Sequence, residues 1–243
     1  MNPVFEKMNM QEALDYNYIG NKKAHHRFQL FFCFLKNNID EPDLLSSLKK
    51  LMEVQKIQDL NSLRHTDKDS NLLMLSSPKV GFFLLENNLI DINATDRIGN
   101  TFLFYVSHDL IKKIDGKFSF DWKHINNDGE NLFSYSGLTG HVVIKKLEKA
   151  REHGVNANHV NKEGLTAIDH VLLHRMSNQA RFMKLTDLVK VGCSFYGIKH
   201  EHMIPEDLKK SLVKHVSVNE KRTLDKLLKE LKVEPATKVK KRI

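Results

Sequence analysis

Apolar residues recur along this chain at helical spacing, in short pulses separated by polar, turn-rich text. Between Pro42 and Gln55, the residues Leu44, Leu45, Leu48, Leu51 and Met52 fall on one face of a helix. Pro42 suits its first position, where no amide donor is needed. Arg27 to Asn38 holds the most apolar run, Phe28 to Leu35, broken only by Gln29. These two segments predict a helix pair. Further on, Pro205 opens a helix with Leu208, Leu212 and Val216 on one face. Ser217-Val218-Asn219-Glu220 reads as a capping box for a last helix. Leu224, Leu227, Leu228 and Leu231 form the apolar stripe of that helix, and Glu234-Pro235 ends it. No apolar run approaches the roughly 18 residues of a membrane span.

Between these ends the pulses shorten and a grammar appears. Leu84 to Leu103, LLENNLIDINATDRIGNTFL, reads as a helix end, a turn with a short hairpin, and the start of a new helix. Asp96, Gly99 and Thr101 mark the hairpin and the helix start. Asn126-Asn127-Asp128-Gly129 and Asn161-Lys162-Glu163-Gly164-Leu165-Thr166 repeat the arrangement, and the stretch from Thr66 through Asp69 echoes it with Asp69 where glycine is expected. The intervals are 30 (Asp69 to Gly99), 30 (Gly99 to Gly129) and 35 (Gly129 to Gly164). Glycine at a hairpin tip adopts positive φ without a Cβ clash. The threonine after it can cap the next helix through its hydroxyl. Asn93 and Asn158 suit the turn before the next hairpin, since asparagine tolerates the left-handed region and bonds locally.

This text resembles the ankyrin repeat, D-x-x-G-x-T-P-L-H-x-A-A-x-x-G-H followed by a second helix and G-A-D-V-N. The third segment keeps Gly140-His141 and closes with Gly154 and Asn158, and the fourth closes around Gly192. The chain departs from the family at T-P-L-H, which reads Thr101-Phe102-Leu103-Phe104, Asn131-Leu132-Phe133-Ser134 and Thr166-Ala167-Ile168-Asp169. The second repeat is short, and its outer helix near His108 to Ile114 is expected to be brief. The resemblance covers about Thr66 to Tyr196. It implies an all-α, ankyrin-like solenoid of helix-turn-helix repeats with short hairpin loops and helical caps at both ends. The expected organisation is an N-terminal helical cap or degenerate first repeat over 1–65, repeats over 66–197, a C-terminal helical cap over 198–235 and a basic flexible tail over 236–243.

Composition adds two points. The chain has 41% hydrophobic and 28% charged residues, the balance of a globular protein. Its net charge is +8, and Ser217 to Ile243 holds nine Lys or Arg against four Asp or Glu. The N-terminal text has acidic residues and no signal-peptide core, so a cytoplasmic protein is expected. Family analogy points to a host-directed effector of an intracellular bacterium or virus, delivered by a specialised secretion system.

Candidate chemistry is thin. Cys33 and Cys193 are expected as buried, reduced thiols. The groupings His25-His26, His108-Asp109 and His200-Glu201-His202 lack the glutamate and i, i+4 spacing of a helical zinc hydrolase, and His141 stands at the family's structural Gly-His position. No phosphate loop or nucleophile motif appears. The expectation is a non-catalytic protein-protein interaction module, adaptor or inhibitor-like, with no cofactor and no metal, and monomeric. Carried over from the family, the partner-binding positions on a concave face are the tip residues Arg97, Ile98 and Asn100, then Asn127, Asp128 and Glu130, then Lys162, Glu163 and Leu165. The first-helix positions are Leu75, Tyr105, Tyr135 and His170. Tyr105 and Tyr135 would form a ladder, while Trp122 is expected in the core. The alternative is a nucleic-acid-associated or antidefence protein acting through the basic C-terminal helix and tail, with Lys238, Lys240, Lys241 and Arg242 touching nucleic acid or an acidic membrane surface.

Overall fold

The computed structural model describes residues 8–16, 23–135, 143–215 and 229–231. Among them the regular structure is helical, with no strand. The helices are α1 (Met10–Asp15), α2 (Lys23–Asn37), α3 (Leu44–Val54), α4 (Leu72–Leu75), α5 (Pro78–Glu86), α6 (Phe102–Tyr105), α7 (His108–Ile114), α8 (Val143–Glu152), α9 (Ala167–Leu173), α10 (Asn178–Lys190) and α11 (Glu206–His215). The chain divides into two compact units, Met1–Asn127 and Asp128–Ile243, with the boundary inside the third hairpin tip.

The first unit is built on the predicted apolar faces. Leu44, Leu48 and Leu51 of α3 are buried, as are Phe28, Leu30, Phe31, Cys33, Phe34 and Leu35 of α2. The helix α3 begins at Leu44 with Asp43 as its cap residue, so Pro42 lies in the preceding turn and not at the first helical position. The repeats then add short helix pairs, α4 with α5 and α6 with α7. The helix α7 has seven residues, the brief outer helix expected there. Trp122 is 6% exposed, in the core as expected. Gly81 lets α5 approach α7, since a Cβ there would sit 3.0 Å from Leu110 Cδ2.

The second unit pairs α9 with α10 and adds α11 after Pro205. Its core includes Leu147, Ala150, Ile168, Leu172, Leu185, Leu188, Val189 and Leu208. Cys33 and Cys193 are both buried, and neither is joined in a disulfide. The expected helix at Asn131–Ser134 is a turn in which Asn131 Oδ1 accepts from Phe133 N at 2.9 Å and Ser134 N at 3.0 Å. Gly140-His141, Val216, Ser217–Glu220, Leu224, Leu227, Leu228 and the basic tail lie outside the described residues.

The hairpin grammar is physical. Asp69, Gly99, Gly129 and Gly164, the four tip positions, have φ of 56°, 79°, 75° and 78°. The capping expectation holds for one threonine and fails for the other. Thr166 Oγ1 accepts from Asp169 N at 3.3 Å, and Asp169 reaches back to Thr166 N in a capping box. Thr101 makes no such bond, and its buried hydroxyl has no partner among the described residues. Asn71 does the same work for α4, accepting from Met74 N at 3.0 Å. Asn93 and Asn158 are not in the left-handed region, and each spans a gap to another turn in its own unit.

Candidate functional site

The tips are the candidate site, and their backbones are locked in register within each unit. In the first, Arg97 N donates to the Lys68 carbonyl at 2.9 Å and Asn127 N to the Ile98 carbonyl at 3.0 Å. Arg97 Nη2 donates to the Thr66 carbonyl at 3.1 Å, and Asn127 Nδ2 to the Arg97 carbonyl at 3.1 Å. In the second, Lys162 N donates to the Asp128 carbonyl at 3.1 Å. Two of the tips are each organised by one Asx side chain. Asp96 Oδ1 accepts from Ile98 N and Asn100 N at 3.0 and 2.9 Å, while Asn161 Oδ1 accepts from Glu163 N and Leu165 N at 3.0 and 2.9 Å.

This locking decides which predicted partner-binding residues face solvent. Arg97, Asn127, Asp128, Lys162 and Glu163 are exposed, and Ile98 is 41% exposed. Leu75 is exposed to the same 41%. Asn100, Glu130 and Leu165 are buried, so the expectation that these tip positions are free of packing is corrected. Asn100 Nδ2 donates to Tyr105 Oη at 2.9 Å, and its Oδ1 accepts from Asn126 Nδ2 at 2.9 Å. Glu130 sits against His170, with Oε1 and Nε2 3.6 Å apart. Tyr105, Tyr135 and His170 are half-buried. Tyr105 Oη donates to Asp96 Oδ2, and His170 Nε2 lies 3.3 Å from Asn161 Nδ2. Tyr105 and His170 therefore support the hairpin nine residues before them in each case. Tyr105 belongs to the first unit and Tyr135 to the second.

Two sets of supporting residues escaped the sequence reading. His124 Nε2 donates to the Gly99 carbonyl and His159 Nε2 to the Gly129 carbonyl, each at 2.7 Å. The recurring text His124-Ile125-Asn126 and His159-Val160-Asn161 carries that signal. Asparagines also bridge successive outer turns. Asn61 Oδ1 accepts from Asp91 N at 2.8 Å, Asn93 Oδ1 from Asp121 N at 3.0 Å and Asn158 Oδ1 from Ser194 N at 2.6 Å. The recurrence of Asp59-x-Asn61, Asp91-x-Asn93 and Asn156-x-Asn158 is its signature.

Two ionisable groups are strongly placed. Asp169 is fully buried; burial would raise its pKa, but bonds from Thr166 and His200, backbone and side chain alike, outweigh that and hold it below the usual carboxylate value. Its Oδ1 accepts from His200 N at 2.8 Å and lies 3.1 Å from His200 Nδ1. Lys146, 4% exposed on α8, is pushed down to about 7 by burial. Among the described residues no group of three or more His, Cys, Asp or Glu is arranged to hold a metal ion. His200 and His202 have ring centroids 6.0 Å apart, and His25 and His26 also 6.0 Å.

No family model matches the chain, and no curated protein matches it. Among solved structures it is similar to an ankyrin repeat domain from Acinetobacter baumannii AYE, with 19% identity and a TM-score of 0.46 over 87% of this chain and 97% of that one.

Proposed function

We propose that the protein binds another protein through its hairpin tips and does no chemistry there. The observation that carries this reading is the division of labour at the tips. Backbone groups and buried or half-buried Asx, Tyr and His side chains hold the hairpins, with Arg97 and Asn127 adding bonds to neighbouring carbonyls, and Arg97, Ile98, Asn127, Asp128, Lys162 and Glu163 are exposed on preorganised loops. Side chains on a rigid backbone lose little freedom on binding, which favours recognition. Ile98 and Leu75 supply exposed apolar area, and the charged tips supply selectivity. The ankyrin-like repeat text and tip geometry support an adaptor or inhibitor-like role. Action as an effector inside a host cell belongs to the same proposal, and a translocation reporter fused to the chain tests it.

The test is affinity purification from the relevant cell with the variant Arg97→Ala/Ile98→Ala/Lys162→Ala as control. The expected outcome is a partner retained by the unaltered chain and lost at least tenfold by the variant, with unchanged circular dichroism. Full retention by a folded variant overturns the tip reading.

A specific observation favours a second reading. Residues 128–243 hold 22 Lys or Arg against 14 Asp or Glu, whereas residues 1–127 hold 16 of each. The entire excess of positive charge lies in the second unit, as a polyanion-binding protein would have it. Removal of Lys238 to Arg242 abolishes binding under this reading and leaves it intact under the first.

A further inference from the structure

The first hairpin differs from the others at its organising position. Asp96 and Asn161 pair their own amide with the carbonyl of Asn100 and Leu165, and the equivalent pairing in the first hairpin is His65 N to the Ser70 carbonyl at 2.8 Å. This pairing spans five residues where the others span four, so the first hairpin is one residue longer, and the His65 imidazole faces α2. His25 of α2 has its ring centroid 5.8 Å from that of His65 and 6.0 Å from that of His26. Phe28 of α2 meets His65 edge-on at 5.4 Å. His25 Nδ1 lies 3.1 Å from Thr66 Oγ1, and His25 Nε2 lies 2.9 Å from Gln29 Nε2.

The Gln29 amide, in this orientation, suits a neutral His25. An amide nitrogen only donates, so His25 Nε2 accepts and bears no proton, and its Nδ1–H points to the threonine hydroxyl. A neutral imidazole with its proton on Nδ1 fits these contacts. We propose that the His25–His26–His65 cluster is an acid-sensitive clasp that closes the N-terminal turns of α2 onto the first hairpin at neutral pH and opens when His25 is protonated.

The surroundings favour the neutral form. Burial lowers the affinity of His25 for a proton, and His65 and His26 lower it further, with Asp67 opposing them. Turning the Gln29 amide over would offer Oε1, which has no partner among the described residues, to a protonated Nε2. That turn still leaves the new charge facing two further imidazoles. With the folded pKa depressed, the clasp contributes fully above the ordinary histidine value of about 6.5 and is lost as pH falls below it. The opening is local. Leu30, Phe31, Phe34 and Leu35 stay buried and anchor the rest of α2.

The experiment is hydrogen exchange on the full chain at pH 7.5 and 5.5, corrected for intrinsic rates, with the double variant His25→Gln/His26→Gln in parallel. The expected result is a five- to tenfold loss of protection at pH 5.5 confined to residues 26–29 and 66–70, with Phe31 to Leu35 unchanged, and no such loss in the variant. Equal protection at both pH values overturns the proposal, as does an equal loss in the variant. An NMR titration of the unaltered chain keeps the question decidable should the variant not fold. The Thr66 amide shift must follow the His25 titration, and a Thr66 shift independent of it also overturns the proposal.

Discussion

At Gly99 a methyl group has nowhere to go. With φ at 79°, a Cβ would fall 2.6 Å from Asn127 Oδ1 and 2.8 Å from Asn127 N. Gly116 has nearly the same φ, 77°, and nothing within 4 Å. The pair separates two effects. Gly116→Ala should cost about 1 kcal/mol for left-handed backbone alone, whereas Gly99→Ala should cost about 3 kcal/mol because overpacking adds to it. Urea unfolding of both variants reads the difference, and equal losses would mean that the hairpins yield to one another. Asp69 is the converse case, a side chain held at φ 56° at the equivalent tip. Asp69→Gly should leave stability unchanged or raise it by up to about 1 kcal/mol, as relief of strain offsets the entropy that glycine adds to the unfolded chain. Lys146 gives the residue scale a pH signature. Its folded pKa lies near 7, below the ordinary lysine value, so between pH 7 and about 10 the unfolded chain binds more protons than the folded one. Stability should rise with pH in that window, by at most about 1.4 kcal/mol per unit. Lys146→Met should flatten the rise, and a variant with the original slope would place the titration elsewhere.

Helix starts show how one position in a repeat diverges in strength. Thr166 and Thr101 look alike in sequence, yet only Thr166 is reciprocated, because Asp169 stands three residues on where Phe104 follows Thr101. Thr166→Ala should cost about 1–2 kcal/mol. Thr101→Val should be neutral or slightly stabilising, since it removes a buried hydroxyl without a partner among the described residues and keeps the shape. Thermal melts of the two variants suffice. This contrast also marks how much was legible. Helix pairs, tip glycines and the brief α7 follow from local rules of periodicity and turn chemistry, and those rules act within a few residues. The burial of Asn100 and Glu130 does not, because it depends on contacts from Asn126 and His170, 26 and 40 residues away. For the same reason the family's tip positions anticipate the exposure of Arg97 and Lys162 and not the burial of Asn100.

Across the whole molecule, charge sorts the two functional readings. A complex held by tip contacts should weaken little between 50 and 200 mM salt. One held by the basic excess of residues 128–243 should lose affinity along a straight line in log salt, with a slope near −0.9 per phosphate contact on duplex DNA. The same measurement at pH 7.5 and 5.5 reports whether the His25 clasp matters to the partner.

Glu230 gives the outer-turn ladder an ending. Its Oε2 accepts from Phe195 N at 2.7 Å and its Oε1 from the Ser194 hydroxyl, so a carboxylate closes the last turn. The consequence is directional growth. A duplicated repeat can be inserted between Asn61 and Asn93, where one turn already hands its neighbour an asparagine, but one appended after Ser194 must first displace a charged stopper. Chains cut short before residue 229 lose that stopper and should grow end to end in solution, with an apparent mass that climbs with concentration.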